Sequence, residues 1–174
     1  MNQSLASYIR NVPDFPSEGI QFKDVTTLLK DPSAFRSATE QLLASVQGVA
    51  VDKVVGIESR GFIFGALLAD RLEAGFVPAR KAGKLPAPVA TADYTLEYGV
   101  DRLAIHRDAI RPGERVLIHD DLLATGGTAQ AAARVVEQLG GTIVRLSFLI
   151  ELTRLGGRRL LIPHPIHSVI RYED

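Results

Sequence analysis

The sequence V-L-I-H-D-D-L-L-A-T-G-G-T, residues 116–128, decides the fold. Its opening apolar run is typical of a strand in a parallel sheet, where both faces are covered. Two adjacent acids, Asp120 and Asp121, follow it, and a glycine-containing turn leads into the alanine-rich segment 129–139. Open α/β sheets bind their ligands at the carboxyl ends of the strands. The stretch therefore predicts a strand, a ligand-binding loop and the start of a helix.

The turn T-G-G-T at 125–128 has the composition of a phosphate-binding loop. It offers backbone N–H groups, hydroxyls and little steric bulk at the positive end of a helix dipole. Asp120 and Asp121 would repel a phosphate beside them, so they are expected to face vicinal hydroxyls or a metal-bearing group. A phosphate at one end and hydroxyl-binding acids at the other describe a ribose 5-phosphate. Without the acid pair, Gly-Gly would fit a purely structural turn equally well.

Composition limits the classes of protein to which the chain can belong. The 174 residues suit one domain, and 46% hydrophobic residues can form a sizeable core. The 20 basic and 20 acidic side chains cancel, so no global field recruits nucleic acid or an anionic membrane. The absence of cysteine excludes disulfides and thiolate chemistry and fits a reducing cytoplasm. Because neither a signal peptide nor an apolar span of roughly 18 residues is recognisable, a cytoplasmic location is expected.

Further strands and helices are predicted around the central stretch. Strand-and-turn units recur at Val54, Phe76, Val116 and Val144, which favours an α/β fold with a doubly wound, mainly parallel sheet. A strand at 53–57 leads through E-S-R-G into an apolar helix at 62–74, and a hairpin is expected over 93–105. Near the amino terminus, a short helix is predicted at 5–10, a surface loop at 11–24 and a helix from Asp31-Pro32 to about Val46.

A basic segment follows the strand predicted at 75–80. It reads K-A-G-K-L-P-A-P-V-A-T-A-D-Y from Lys81, with the chain's local cluster of positive charge at its start. Long irregular loops in compact domains are usually functional lids or disordered segments. The alternative is a solvated charge cluster on a surface turn. The spacing favours a loop that follows an anionic substrate.

Several of these segments together resemble one enzyme family. The sequence D-D-L-L-A-T-G-G-T closely resembles the phosphoribosyl pyrophosphate (PRPP) motif of type I phosphoribosyltransferases. It is most similar to the form of this motif in the adenine phosphoribosyltransferase branch. F-P-x-x-G-I-x-F-K-D at 15–24 is similar to that family's hood over the base, and G-I-E-S-R-G-F-I-F-G at 56–65 to its pyrophosphate loop. R-K-x-G-K-L-P at 80–86 resembles the flexible catalytic loop, and Y-x-L-E-Y-G at 94–99 the segment with the proton-transfer acid. The resemblance covers nearly the whole chain.

The resemblance implies a type I phosphoribosyltransferase fold in a single domain, residues 1–174. The hood would occupy residues 1–30 and the flexible loop residues 81–95. The implied reaction converts adenine and PRPP to AMP and pyrophosphate in purine salvage. Mg²⁺ would be held mainly through substrate oxygens; no metal ligand is certain, although Asp120 or Asp121 can reach the ion through water. Relatives in this family are usually homodimers, and neither nucleic acid nor a membrane is an implied partner.

Site residues follow from the same resemblance. Glu97 would be the catalytic proton-transfer residue. The peptide between Glu58 and Ser59 is expected to be cis. Phe22 would bind the base by stacking on it. Gln21 and Lys23 would contact it through their backbone, and Leu122 would contact it as well. The PRPP contacts would be Ser59, Arg60, Arg80, Lys81, Lys84, Asp120, Asp121, Ala124, Thr125, Gly126, Gly127 and Thr128.

Two alternatives remain open at the level of the sequence. The same fold can serve another base, such as hypoxanthine, xanthine or orotate, because only Phe22 and Glu97 carry the claim about adenine. The chain can also be a PRPP-sensing regulator that binds nucleic acid, against which neutral charge and an intact loop argue. One departure from the family falls at Ala82, where relatives often have a basic residue. His119, next to the acid pair, is predicted to be buried and hydrogen-bonded.

Overall fold

The amino-terminal unit of the structure ends at Gln41. The structure is a computed structural model that describes residues 4–95 and 100–173. A 3₁₀ turn at Leu5–Tyr8 precedes the antiparallel strands β1 (Arg10–Pro13) and β2 (Gln21–Asp24). A one-turn helix, α1 (Thr26–Leu29), follows, and α2 (Pro32–Ala44) begins in this unit.

The hairpin corrects the prediction that residues 11–24 form a loop. β1 and β2 pair Val12 with Phe22 and Arg10 with Asp24. Arg10 also binds the Asp24 carboxylate, with Nε 3.0 Å from Oδ2. The prolines and the glycine that suggested a loop lie in and beside the connection, while the pairing joins residues about ten apart. The short helix predicted at 5–10 is only a 3₁₀ turn.

The start of α2 is confirmed. Asp31 Oδ1 accepts hydrogen bonds from the backbone N–H groups of Ser33 and Ala34, both at 2.9 Å. These bonds satisfy donors that have no partner inside the helix, and Pro32 suits the first helical position. The helix ends at Ala44, two residues earlier than the sequence suggests.

The second unit begins at Leu42 and contains a seven-stranded sheet in the order β5-β6-β4-β3-β7-β8-β9. Its strands and helices, in chain order, are β3 (Lys53–Ile57), α3 (Gly61–Arg71), β4 (Gly75–Lys81), β5 (Val89–Thr95), β6 (Val100–His106), β7 (Arg115–Leu123), α4 (Gly127–Gln138), β8 (Thr142–Leu152) and β9 (Ile166–Tyr172). Two 3₁₀ turns, Thr153–Leu155 and Gly157–Leu161, join the last two strands.

The sheet is mainly parallel, as predicted. β4, β3, β7, β8 and β9 run parallel to one another, while β5 and β6 form an antiparallel edge. The strand predicted at Phe76 is β4. The chain continues from it into the antiparallel strands β5 and β6, and not into a helix. Residues 82–88 form the irregular part of the segment 81–95, because β5 already begins at Val89. Gly56 of β3 stands opposite His119 of β7, so the turns after these two strands are neighbours.

The two long helices of this unit cover opposite faces of the sheet. Val55 and Ile57 join the α4 side chains in the buried core, whereas Gly56 lies against Gly65 of α3. Because successive strand residues point to opposite faces, α3 and α4 lie on different sides of β3. α4 presents small side chains to the core, which brings the helix close to the sheet. α4 ends before Gly140, whose positive φ of +83° favours glycine at this position.

Candidate active site

The acid pair lies at the carboxyl end of β7. Asp121 is buried, Asp120 is half-buried, and the Asp121 N–H donates to Asp120 Oδ1 over 2.8 Å. Alternation along the strand turns the two side chains to different sides. Burial, together with the negative charge of Asp121, raises the pKa of Asp120 well above its ordinary value. The pair therefore combines one carboxyl that favours its neutral form with one that is bound by a cation.

That cation is Arg60, in the turn after β3. Its Nε donates to Asp121 Oδ2 in a short ion pair. The neighbouring Glu58–Ser59 peptide is cis, as the resemblance implies. Gly61 allows the two turns to approach, since a Cβ there would lie 2.9 Å from Asp120 Oδ1 and 3.0 Å from the His119 oxygen. The structure thus brings Ser59 and Arg60 beside Asp120 and Asp121.

The predicted phosphate loop surrounds a small cavity at the amino end of α4. Gly126 has a φ of +86°, which favours glycine, and residues 127–138 continue as helix. The cavity is about 80 Å³. It is lined by Asp120, Leu122, Leu123, Ala124, Thr125, Gly126, Gly127, Thr128 and Ala129. All five predicted loop residues and Leu122 therefore share one concave surface with an acid.

A glycine of the carboxyl-terminal region supports this loop from behind. A Cβ at Gly157 would lie 2.2 Å from the Ala124 oxygen and 2.8 Å from the Gly126 nitrogen. Gln130 of α4 also donates through Nε2 to the Leu160 oxygen over 3.1 Å. The sequence motifs give this tail no part in the site. Its link to the loop was missed because the contact joins segments some thirty residues apart, and only the repeated glycines at 156–157 hinted at a close approach.

The basic residues after β4 are held by carboxylates. Glu58 accepts hydrogen bonds from Lys84 Nζ at 2.5 Å, from Arg80 Nη2 at 3.3 Å and from the Lys81 backbone N–H at 3.0 Å. Partial burial by itself would raise the pKa of Glu58, but these bonds outweigh it and lower the pKa to about 2. Glu58 is a second residue whose part in the site the sequence did not reveal.

Lys81 has its own acidic partner. Its Nζ lies 2.9 Å from Asp101 Oδ2, and the Tyr94 hydroxyl is 3.1 Å from the same oxygen. Hydrogen bonding to Asp101, together with that residue's charge, raises the pKa of Lys81. Arg80, Lys81 and Lys84 are thus each held by a carboxylate, at or just after the carboxyl end of β4.

The predicted base-binding residues of the hood lie on β2. The Phe22 ring is half-buried and meets the exposed Phe15 ring edge to face, with centroids 5.1 Å apart. Gln21 is exposed and Lys23 is buried. These residues offer an aromatic surface with strand backbone on either side. Glu97, the predicted catalytic acid, lies outside the residues that the structure describes.

Within residues 4–95 and 100–173, no group of three or more histidine or acidic side chains is arranged to hold a metal ion. A larger cavity of about 670 Å³ lies at the other end of α4, beside Gln138, Leu139 and the start of β5. It is remote from the acids and the phosphate loop. Among the helices of the described chain, none is long and apolar enough to cross a membrane.

His119 is buried as predicted, but the hydrogen bond predicted for its ring is not found among residues 4–95 and 100–173. Neither ring nitrogen has a hydrogen-bond partner of normal geometry among the described residues. The ring instead meets Phe64 of α3 edge to face, with centroids 6.2 Å apart. Burial lowers the pKa of His119 to about 3, and a weak interaction with the Ser147 backbone only partly opposes this. The ring is neutral under ordinary conditions.

Comparison with known proteins agrees with this geometry. The model of the phosphoribosyl transferase domain matches residues 24–160, so the fold and the site define a phosphoribosyltransferase. An adenine phosphoribosyltransferase of Chloroflexus aurantiacus is 56% identical over 170 residues, which are 98% of each chain. The crystal structure of the adenine phosphoribosyltransferase from Rhodothermus marinus superposes with a TM-score of 0.93 at 56% identity and covers 97% of this chain and 96% of that one. The chain belongs to the adenine phosphoribosyltransferase family.

A more distant structure carries ligands. The adenine phosphoribosyltransferase of Saccharomyces cerevisiae, in complex with an imino-altritol bisphosphate and adenine, is 41% identical. It has a TM-score of 0.90 and covers 95% of this chain and 96% of that one. Both the fold prediction and the family resemblance are therefore confirmed.

Proposed function

We propose that the chain transfers the 5-phosphoribosyl group of PRPP to adenine and releases AMP and pyrophosphate. The observation that carries this proposal is that three features lie together at the carboxyl ends of the parallel strands. A phosphate-sized cavity, an acid pair and a turn bearing Ser59 and Arg60 lie at the carboxyl ends of β7 and β3. The yeast relative, whose structure contains adenine, supports adenine as the base.

In this reaction the bond between C1 of the ribose and the pyrophosphate oxygen breaks, and a bond from C1 to N9 of adenine forms. The electron pair of the broken bond leaves with pyrophosphate. Adenine loses the N9 proton, and Glu97 is proposed to accept it. Positive charge develops on the sugar ring, so groups that stabilise it or the departing anion accelerate the step.

The acid pair is proposed to bind the ribose hydroxyls. A carboxyl with a raised pKa, such as Asp120, can donate as well as accept a hydrogen bond, whereas an ionised carboxylate only accepts. Vicinal hydroxyls present both kinds of partner. The negative charge of Asp121 also offsets positive charge on the ring. The 5-phosphate is assigned to the backbone N–H groups and hydroxyls of residues 124–128.

The pyrophosphate is assigned to Ser59, Arg60, Arg80, Lys81 and Lys84. A guanidinium presents a fork of donors that matches phosphate oxygens, and the lysines add mobile charge. Arg60 is bound to Asp121 in the structure, so its guanidinium exchanges or shares this partner when PRPP binds. The loop 82–88 is proposed to close over the site and exclude water from the reactive sugar.

Base binding is proposed for Phe22, by stacking on adenine, with Gln21 and Lys23 contacting it through their backbone and Leu122 adding an apolar contact. Strand backbone provides donors and acceptors that can distinguish the edges of purines. A site built to hydrogen-bond one edge rejects a base that lacks the matching groups.

Mg²⁺ is proposed as the cofactor. Among the described residues, the site offers a hard cation little beyond the Asp120 and Asp121 oxygens, and Arg60 already occupies Asp121. These residues therefore fit an ion that is held mainly by pyrophosphate and ribose oxygens, with Asp120 or Asp121 reaching it directly or through water. Such an ion neutralises substrate charge when bound.

A homodimer in the cytoplasm is also proposed. The family resemblance supports the assembly, because members of that family are usually homodimers. The absence of cysteine fits a reducing compartment. Sedimentation equilibrium at several protein concentrations tests the assembly; a single monomeric species throughout contradicts it.

The reaction is tested by measuring pyrophosphate release from PRPP across a panel of bases. Adenine is expected to support turnover and AMP formation, whereas hypoxanthine, xanthine and orotate are not. Turnover with one of these bases and none with adenine overturns the assignment. Tight binding of RNA or DNA without transferase activity would favour the regulator instead.

The catalytic role of Glu97 gives a separate prediction. Glu97→Gln keeps the size and polarity of the side chain but cannot accept the proton. Turnover is expected to fall by two or more orders of magnitude, roughly the usual contribution of acid–base catalysis, while PRPP affinity changes little. Steady-state kinetics and PRPP titration measure the two effects. Unchanged turnover removes Glu97 from the mechanism.

A further inference from the structure

Glu58 joins the two segments of the chain that are assigned to pyrophosphate. Its carboxylate accepts bonds from Arg80 and Lys84, which lie 22 and 26 residues further along the chain, and from the Lys81 N–H between them. The next residues, Ser59 and Arg60, form the turn that meets the acid pair. One side chain therefore fixes the beginning of the loop to the turn after β3.

The environment of Glu58 distinguishes it from an ordinary surface ion pair. Its side chain is only 11% exposed, compared with 34% for Arg80 and 48% for Lys84. Exposed single pairs contribute little because solvent and rotamer entropy oppose them. Here two cations and a backbone N–H share one shielded carboxylate, and the cations keep their outer sides accessible. The geometry holds the cations in place without enclosing them.

Binding Glu58 leaves donors available for a substrate anion. An arginine has five N–H donors and a lysine three. Arg80 uses Nη2 for Glu58 and Nη1 for the Lys84 backbone oxygen, 3.2 Å away, so the terminal nitrogens of its guanidinium keep further N–H donors. With one carboxylate and two cations, the group carries a net positive charge. Glu58 and a phosphate oxygen can therefore contact the same cations together.

We propose that Glu58 is a positioning residue that holds Arg80 and Lys84 beside the Ser59–Arg60 turn, ready for the pyrophosphate of PRPP. The inference rests on the proposed function and adds a residue to it. Without Glu58, both long side chains must be ordered when the substrate binds. Ordering two such side chains weakens binding roughly tenfold or more.

The test compares three variants. Glu58→Gln keeps an acceptor for the Lys81 N–H but removes the charge, and Glu58→Asp restores the charge on a shorter side chain. Asp52→Asn is the matched control, because Asp52 also accepts from one cation and a backbone N–H, at 2.7 to 2.8 Å from Arg115. Asp52 precedes β3 at the opposite edge of the sheet from the acids.

Pyrophosphate binding is measured by titration calorimetry with Mg²⁺ present, and KM is measured separately for PRPP and adenine. Glu58→Gln is expected to weaken pyrophosphate and raise the KM of PRPP roughly tenfold, with the KM of adenine nearly unchanged. Glu58→Asp recovers part of this loss, and Asp52→Asn changes neither constant.

Two results overturn the proposal. One is pyrophosphate binding by Glu58→Gln as tight as by the wild type, or tighter. The other is a loss of pyrophosphate binding in Asp52→Asn that equals the loss in Glu58→Gln, when the two variants have the same melting temperature. That result assigns Glu58 a merely structural role. If the wild type binds pyrophosphate but forms no AMP from adenine, the proposed reaction fails, while the binding comparison still decides the role of Glu58.

Discussion

At the scale of single residues, Asp120 and Asp121 are adjacent but not equivalent. Asp121 is held by Arg60, whereas Asp120 accepts the Asp121 N–H and has a pKa that burial and its neighbour raise. A raised pKa means that ionisation of Asp120 costs more in the folded chain than in the unfolded one. If Asp120 binds the ribose hydroxyls as proposed, its carboxyl serves the ligand at the expense of stability.

We therefore expect Asp120→Asn to stabilise the protein while it impairs PRPP binding. A group with a raised folded pKa contributes stability below its unfolded pKa and loses it as pH rises. At pH 7 the amide removes this penalty, which is about 1.4 kcal/mol for every pH unit that separates the folded pKa from the unfolded one. The free energy of unfolding at pH 7, measured with urea, should rise, and the gain should vanish below a pH of about 4.

Asp121→Asn serves as the comparison for this experiment. It breaks the ion pair with Arg60, in which the Asp121 side chain is only 7% exposed, and is expected to lower the free energy of unfolding by about 1 to 3 kcal/mol. The opposite result would be that Asp120→Asn lowers the free energy of unfolding at pH 7 and Asp121→Asn raises it. It would show that Asp121, and not Asp120, is the acid whose ionisation destabilises the fold.

At the scale of elements, the tail between β8 and β9 lies directly against the loop 124–128. Gly157 lies so close to Ala124 and Gly126 that a side chain has no room. We expect Gly157→Ala to displace the loop, to lower kcat/KM for PRPP by at least about tenfold and to cost about 2 kcal/mol of stability through overpacking. Kinetics with saturating adenine and urea unfolding measure both effects.

Leu155→Ala in the same tail is the control. Its side chain is 52% exposed, so the change should stay within about 0.5 kcal/mol of wild type. If Gly157→Ala binds PRPP normally, the tail supports the fold but does not shape the loop.

At the scale of the whole molecule, the sequence predicted what depends on local patterns. The apolar runs of β3 and β7, the Asp31 cap and the loop 124–128 were recognisable because neighbouring residues determine them. The β1–β2 pairing, the Glu58 contacts and the Gly157 approach were not, since each depends on residues that only folding brings together. Two prolines and one glycine at 13–19 also concealed the hairpin behind turn signals.

The acid sensitivity of the whole fold tests the buried ring of His119. Its folded pKa, about 3, is below the ordinary value, so protonation favours the unfolded chain as pH falls below 6.5. From pH 6.5 to pH 5.5 this should remove about 1 kcal/mol from the free energy of unfolding. His119→Leu cannot be protonated, so its loss over the same interval should be smaller by that amount. Urea unfolding at one protein concentration measures both, with equal m values as the check that the same surface unfolds. Equal losses in the two proteins would show that the ring reaches solvent or gains a partner when charged.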